Sequence, residues 1–167
     1  MKSATLLAHL RDILILPFTV IVIVPYYLYR PDEKMISNSL ATKIFGGIFL
    51  VLGLTLFLYA LYLFKTIGKG TVAPWSPKQK LIIVGPYQYC RNPMITGVLF
   101  ILVAEALILH STSILWWAVA FFFINTLYFI ALEEPTLAEK FGEDYRRYKQ
   151  HVPRWIPRIN PYKQDSD

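Results

Sequence analysis

Cysteine is almost missing from this chain of 167 residues: Cys90 stands alone, which excludes an internal disulfide and any cysteine-based zinc site. The three histidines, His9, His110 and His151, lie far apart and never one helical turn from each other, so no metal site is expected. Charge is also scarce, at 17% of residues against roughly 25% in soluble domains. No Ser–His–Asp arrangement and no nucleophile elbow is visible. Gly68-Lys69-Gly70 is a weak echo of a phosphate-binding loop, with neither the second glycine pair nor a Lys-Ser/Thr. Apolar side chains fill the space that charge leaves, with 55% of residues hydrophobic and a mean hydropathy of +0.43. That balance asks for lipid around much of the surface and excludes a soluble two-domain enzyme. A doubly wound cofactor domain is excluded too, because the apolar runs already claim the residues it would need.

Four apolar runs follow when charges are taken as boundaries: Ile13–Tyr29, Ile44–Phe64, Met94–Leu109 and Ile114–Leu132. Each is close to the roughly 20 residues that cross about 30 Å of hydrocarbon. The sequence therefore predicts an all-α integral membrane protein with four transmembrane helices. Pro17 and Pro25 predict a kink in the first. The third and fourth form a helical hairpin, since only His110-Ser111-Thr112-Ser113 separates them. Two parts are expected, residues 1–64 with two membrane helices and residues 65–167 with the chemistry.

The net charge of +6 raises nucleic acid as a partner, yet its distribution speaks for topology. With both termini on one side, that side holds fourteen of the seventeen basic residues, against Arg30, Lys34 and Lys43 on the other. The positive-inside rule then puts both termini and the 65–92 link in the cytoplasm. Attraction to anionic membrane lipids accounts for the surplus, and no nucleic acid is expected.

Two cytoplasmic segments thus face each other. The first ends in Leu81-Ile82-Ile83-Val84, a strand or buried loop, followed by Gly85 to Asn92. The second is an amphipathic C-terminal helix, Pro135 to about His151, whose apolar positions Leu137, Phe141, Tyr145 and Tyr148 recur at helical spacing and can lie on the membrane or on the first segment. Asn92-Pro93 reads as a helix start with Asn92 as cap. Its free N–H groups and Arg91 suit an anionic group such as a carboxylate, although Arg91 could equally bind lipid phosphate. Glu133 and Glu134 either close an apolar helix against its dipole, which asks for a cationic partner such as Arg91 or a ligand, or open the next helix. Glu105 in the third run is a functional candidate because an ionisable group in hydrocarbon is costly, although a snorkelling or hydrogen-bonded structural role is favoured, and Asn125 in the fourth reads as interhelical glue.

These residues resemble the isoprenylcysteine carboxyl methyltransferase family of membrane enzymes, its small prokaryotic-type members in particular, with phospholipid N-methyltransferases as relatives. The resemblance covers Gly68 to Arg158 and rests on Gly70-Thr71-Val72-Ala73-Pro74-Trp75, Gly85-Pro86-Tyr87, Arg91-Asn92-Pro93-Met94 with Gly97, Glu133-Glu134-Pro135, Phe141-Gly142 with Tyr145 and Tyr148, and Val152-Pro153-Arg154-Trp155-Ile156-Pro157. It implies methyl transfer from S-adenosyl-L-methionine to a lipophilic acceptor taken from the bilayer, a prenylcysteine-like carboxylate or a lipid amine. It also implies a site facing the cytoplasm at a prokaryotic inner membrane. Carried over, Leu81 and Ile82 surround the adenine, Tyr87, Asn92, Pro93 and Ile95 line the cofactor, Glu133 accepts hydrogen bonds from it, and Arg91 orients cofactor or acceptor. Glu133 or Glu134 would take the proton from an amine acceptor. The sequence departs from the family pattern at Asn92, where many members carry His, at Ile95, where Tyr is usual, and at Phe129, where eukaryotic-type members place an Arg for the acceptor. A non-catalytic membrane protein that keeps the fold, or a reductase of the sterol-reductase type, are the alternatives.

Overall fold

The computed structural model describes residues 14–31, 37–67 and 81–163. The Gly68-Lys69-Gly70 stretch, the Gly70–Trp75 part of the resemblance and the basic residues Lys2 and Arg11 lie outside the described residues. Among those described there are helices and no strands. The first helix, α1, winds as a π-helix over Leu14–Ile23 and as an α-helix over Val24–Leu28. Where a kink is expected from its prolines, the winding itself changes. Pro17 sits inside the wide turns, and Pro25 opens the α-helical part, where its missing N–H costs nothing.

Helix α2 runs over Leu40–Thr66, about 40 Å at 1.5 Å per residue. It starts before the apolar run because Ser39 caps it. The Ser39 hydroxyl accepts from the Thr42 N–H at 3.2 Å while the Thr42 hydroxyl accepts from the Ser39 N–H at 3.2 Å. Glycines set its contact with α3, Pro93–Ile108. A Cβ on Gly53 would lie 2.8 Å from the Gly97 carbonyl oxygen, and one on Gly97 would lie 2.8 Å from the Phe57 nitrogen. The backbones touch there, as membrane helices do when small residues face each other. The other face of α2 exposes Phe45, Val51, Leu58 and Tyr62.

Helices α3 and α4, Thr112–Tyr128, meet at a tight link in which His110 takes a φ of +50° and the Ser111 N–H returns to the Ala106 carbonyl at 3.0 Å. Val98, Ile101 and Leu102 pack with Ala118 and Phe121, and Ala106 with Ile114, so the pair is an antiparallel hairpin, as its short link predicts. The fourth run does not stop at Leu132. One π-helical turn, Phe129–Glu133, carries it into α5, Glu134–His151, making 40 continuous residues. The wide turn comes directly before Pro135, whose ring would crowd the carbonyl four residues back and whose nitrogen has no proton to give it. Two helices, Leu40–Thr66 and Thr112–His151, are long and apolar enough to cross a membrane, and the apolar helices Pro17–Leu28 and Pro93–Ile108 are shorter.

The apolar face of α5 packs onto the protein. Leu137, Tyr145, Tyr148 and Val152 form a core with Leu81, Ile83, Phe141 and Tyr162. Gly142 interrupts α5 with a φ of +55° and ψ of −130°, a conformation that glycine alone takes readily. Leu81–Val84 is irregular, with Ile82 buried.

Candidate functional site

Four segments converge where α3 begins and α4 passes into α5. They are the irregular Leu81–Val84, the short turn Gly85–Gln88 leading to Arg91 and Asn92, the π-helical turn, and the inner face of α5. Between them lies a narrow cleft of about 340 Å³, counted out to its open mouth. Leu81, Ile82, Tyr87, Arg91, Asn92, Glu133 and Glu134 all line it, so seven of the residues singled out from sequence share one cavity. Pro93 and Ile95 do not. Pro93 is buried at the first turn of α3, and Ile95 packs against the core formed by Phe57, Val98 and Phe121. Phe129, Leu137, Tyr145 and Tyr148 complete the walls. The last three were legible only as an apolar helix face.

Glu134 is the electrostatic centre of this region. It is 5% exposed, and three cations meet it. Arg91 Nη1 donates to Oε1 at 2.9 Å, Arg154 donates to the same oxygen through Nε at 2.8 Å and Nη2 at 2.7 Å, and Lys149 Nζ lies 2.7 Å from Oε2. Burial alone would raise its carboxyl pKa. Hydrogen bonds from Lys149 and Arg154 and the charge of Arg91 outweigh burial and hold it below the ordinary carboxylate range. Arg91 also reaches the Tyr145 hydroxyl at 3.3 Å, yet its buried Nε has no hydrogen-bond partner. A buried guanidinium N–H left over in a cleft wall is a donor available to a ligand.

Asn92 differs from expectation. It precedes α3, but with φ −124° and ψ 53° its side chain makes no capping bond. Its carbonyl instead accepts from the Thr96 N–H and hydroxyl, each at 3.0 Å. Tyr148 donates to the Tyr87 carbonyl at 2.6 Å. Burial pushes the phenols of Tyr87 and Tyr148 far up and that of Tyr145 to about 12, so all three keep their protons at neutral pH.

A strap closes the far side. After α5 the chain runs from Val152 to Tyr162 along the turn that carries Arg91. Arg91 N donates to the Pro153 carbonyl at 2.9 Å, Arg158 N to the Tyr89 carbonyl at 3.0 Å, and Tyr162 N to the Gln88 carbonyl at 3.0 Å. The Gln88 amide returns a bond to the Tyr162 carbonyl at 3.0 Å. Trp155 wedges between Phe122 and Phe129, its ring 5.1 and 5.7 Å from theirs.

The cleft holds no metal-ligand cluster; among the described residues no group of three or more His, Cys, Asp or Glu exists that could hold a metal ion. Its chemistry is that of an acid, Glu133, and a guanidinium N–H lining one narrow slot. Comparison with known sequences gives three matches. Residues 41–144 match the family described as phospholipid methyltransferase. An uncharacterized protein of Haemophilus influenzae is 45% identical over 64 residues, 38% of this chain and 100% of that protein. Methanethiol S-methyltransferase 1 of Bradyrhizobium diazoefficiens is 29% identical over 143 residues, 80% of this chain, and the aligned region is 46% of that enzyme's length.

Proposed function

Because the chain belongs to the phospholipid methyltransferase family, we propose that it transfers a methyl group from S-adenosyl-L-methionine to a lipophilic acceptor that reaches the cleft from the bilayer. When bound, that cofactor supplies a methyl group on a cationic sulfur, open to in-line attack. The observation that carries this reading is the pairing, in one cleft, of Glu133 with the partnerless Nε of Arg91. A zwitterionic ligand with a sulfonium and a carboxylate needs both. Glu133 faces the positive charge, and Arg91 Nε donates to the carboxylate. Leu81, Ile82, Phe129 and Leu137 give the adenine and thioether carbons an apolar wall. Asn92 offers its amide, and Pro93 and Ile95 contribute through the backbone, by setting the start of α3 and its free N–H groups beside the cleft.

Glu134 has a different task. With its pKa lowered and three cations on it, it is a weak base, and its role is to position Arg91. Proton removal from an amine acceptor therefore falls to Glu133, whereas a carboxylate acceptor needs none. The two shorter apolar helices complete four spans in this reading, with both termini and the cleft in the cytoplasm of a prokaryotic cell. A C-terminal reporter that works only outside the cytoplasm then stays silent.

Calorimetry on detergent-solubilised protein tests the site. We expect S-adenosylmethionine and S-adenosylhomocysteine to bind the parent chain. Glu133→Gln should weaken the sulfonium form more than the neutral thioether, by roughly tenfold for one close charge contact, and Arg91→Ala should weaken both. No binding by the parent chain refutes the cofactor. Equal weakening by Glu133→Gln refutes the charge contact. Methyl transfer measured with a prenylcysteine analogue, phosphatidylethanolamine and methanethiol assigns the acceptor.

A further inference from the structure

The strap that holds the Arg91 turn also presents two large apolar side chains to the outside, with Ile156 79% and Ile159 94% exposed. The strap is no loose tail, because the bonds from Arg91, Arg158 and Tyr162 fix its backbone on both sides of these residues. What covers the isoleucines follows from their depth. The antiparallel packing of Val98 and Leu102 against Phe121 and Ala118 brings the start of α3, at Pro93, level with Leu127. Helix α3 has 16 residues, about 24 Å, which is no more than a hydrocarbon layer of about 30 Å requires. The apolar layer therefore ends near the level of Pro93 and Leu127. Trp155, wedged between Phe122 and Phe129, sits at that boundary, where membrane proteins concentrate tryptophan. Phe123, Ile124, Leu127 and Ile130 are exposed apolar side chains of the neighbouring helix segment, while Arg158 on the strap and Lys163 just beyond it supply positive charge.

We propose that residues 152–162 form an interfacial anchor that sets Ile156 and Ile159 into the boundary between acyl chains and headgroups, beside the mouth of the cleft. The partner is the lipid surface itself. Membrane contact and cleft geometry are then coupled mechanically, because the backbone that lies on the lipid is the backbone that holds Arg91. This inference rests on the depth of the strap and stands apart from any methyl-transfer activity.

Site-directed spin labelling of the full chain in vesicles of phosphatidylglycerol and phosphatidylethanolamine tests it. Nitroxides are placed by Ile156→Cys, Ile159→Cys and, as a water-facing reference, Lys163→Cys; the unsubstituted chain corrects for any labelling of the buried Cys90. Labels at 156 and 159 should collide with oxygen in preference to a water-soluble nickel chelate, with a ratio roughly threefold or more above that at 163. A fluorophore at 159 should be quenched more by lipids brominated near the headgroup than by lipids brominated at the chain end. Ratios equal to that of position 163 overturn the anchor, and stronger quenching by the deep bromines overturns its interfacial depth.

Discussion

Replacing Glu134 with Gln removes one negative charge and keeps the shape of the side chain, so it isolates what the charge does. In the native chain Arg91 is 10% exposed at its side chain and rests on Glu134 together with Arg154 and Lys149. After the substitution these cations keep their positions without their shared carboxylate. Removing one partner of a buried ion pair costs about 3–5 kcal/mol; Lys149 is half exposed and water takes over much of its share, so the lower end, about 3 kcal/mol, is the expected loss. For a chain of this size that lowers Tm by roughly 6–12 °C. The sign of the pH dependence is fixed as well. A carboxyl group whose folded pKa lies below its unfolded value contributes fully above the unfolded value, near 4.3, and loses the contribution as pH falls through the lowered folded value. Melting in detergent across pH 6 to about 3 should therefore show a constant gap between native chain and Glu134→Gln down to the ordinary carboxylate range, and convergence only below it. A gap under about 1 kcal/mol at neutral pH, or convergence already well above pH 4.3, would refute a buried, charged Glu134.

Five further substitutions are read by melting. Gly53→Ala forces a methyl group to within 2.8 Å of the Gly97 carbonyl and should cost about 1–3 kcal/mol. Gly47→Ala, on the same helix with nothing within 4 Å, should stabilise by roughly 0.5–1 kcal/mol. Tyr148→Phe strands the buried Tyr87 carbonyl and should cost about 1–3 kcal/mol, whereas Tyr145→Phe, which loses only a contact of 3.3 Å, should cost less than about 1. Gly142→Ala meets no neighbour, so its expected loss of about 1–3 kcal/mol is conformational alone, and an unchanged Tm there would disprove the positive φ.

The helices were legible because their cause is local: apolar runs bounded by charge and turn residues. Arg91 and the paired acids were legible as partners because two acids closing an apolar helix oppose its dipole and demand compensation. Which acid takes the cations was not, since the answer depends on the extra residue that the π-helical turn inserts before Pro135, and no composition rule locates such a turn. Lys149 and Arg154 escaped for another reason. They reach Glu134 from the end of α5 and from the strap, whose path is set by backbone bonds to residues 88–91 that carry no side-chain signature. Asn92 has the residue type of a cap, yet its backbone angles keep the side chain from closing the bond.

The three cations on Glu134 come from different stages of synthesis. Arg91 precedes it by 43 positions and Arg154 follows it by 20. While the chain is being made, Glu133 and Glu134 emerge with only one of these counterions in existence, and the strap that completes the cluster is made after them. The membrane helices can be inserted before the cleft has its walls. Order of manufacture thus delays competence until Arg154 has been made, and a nascent chain halted before Arg154 should insert in the bilayer yet lack the protease resistance of the finished Arg91 turn.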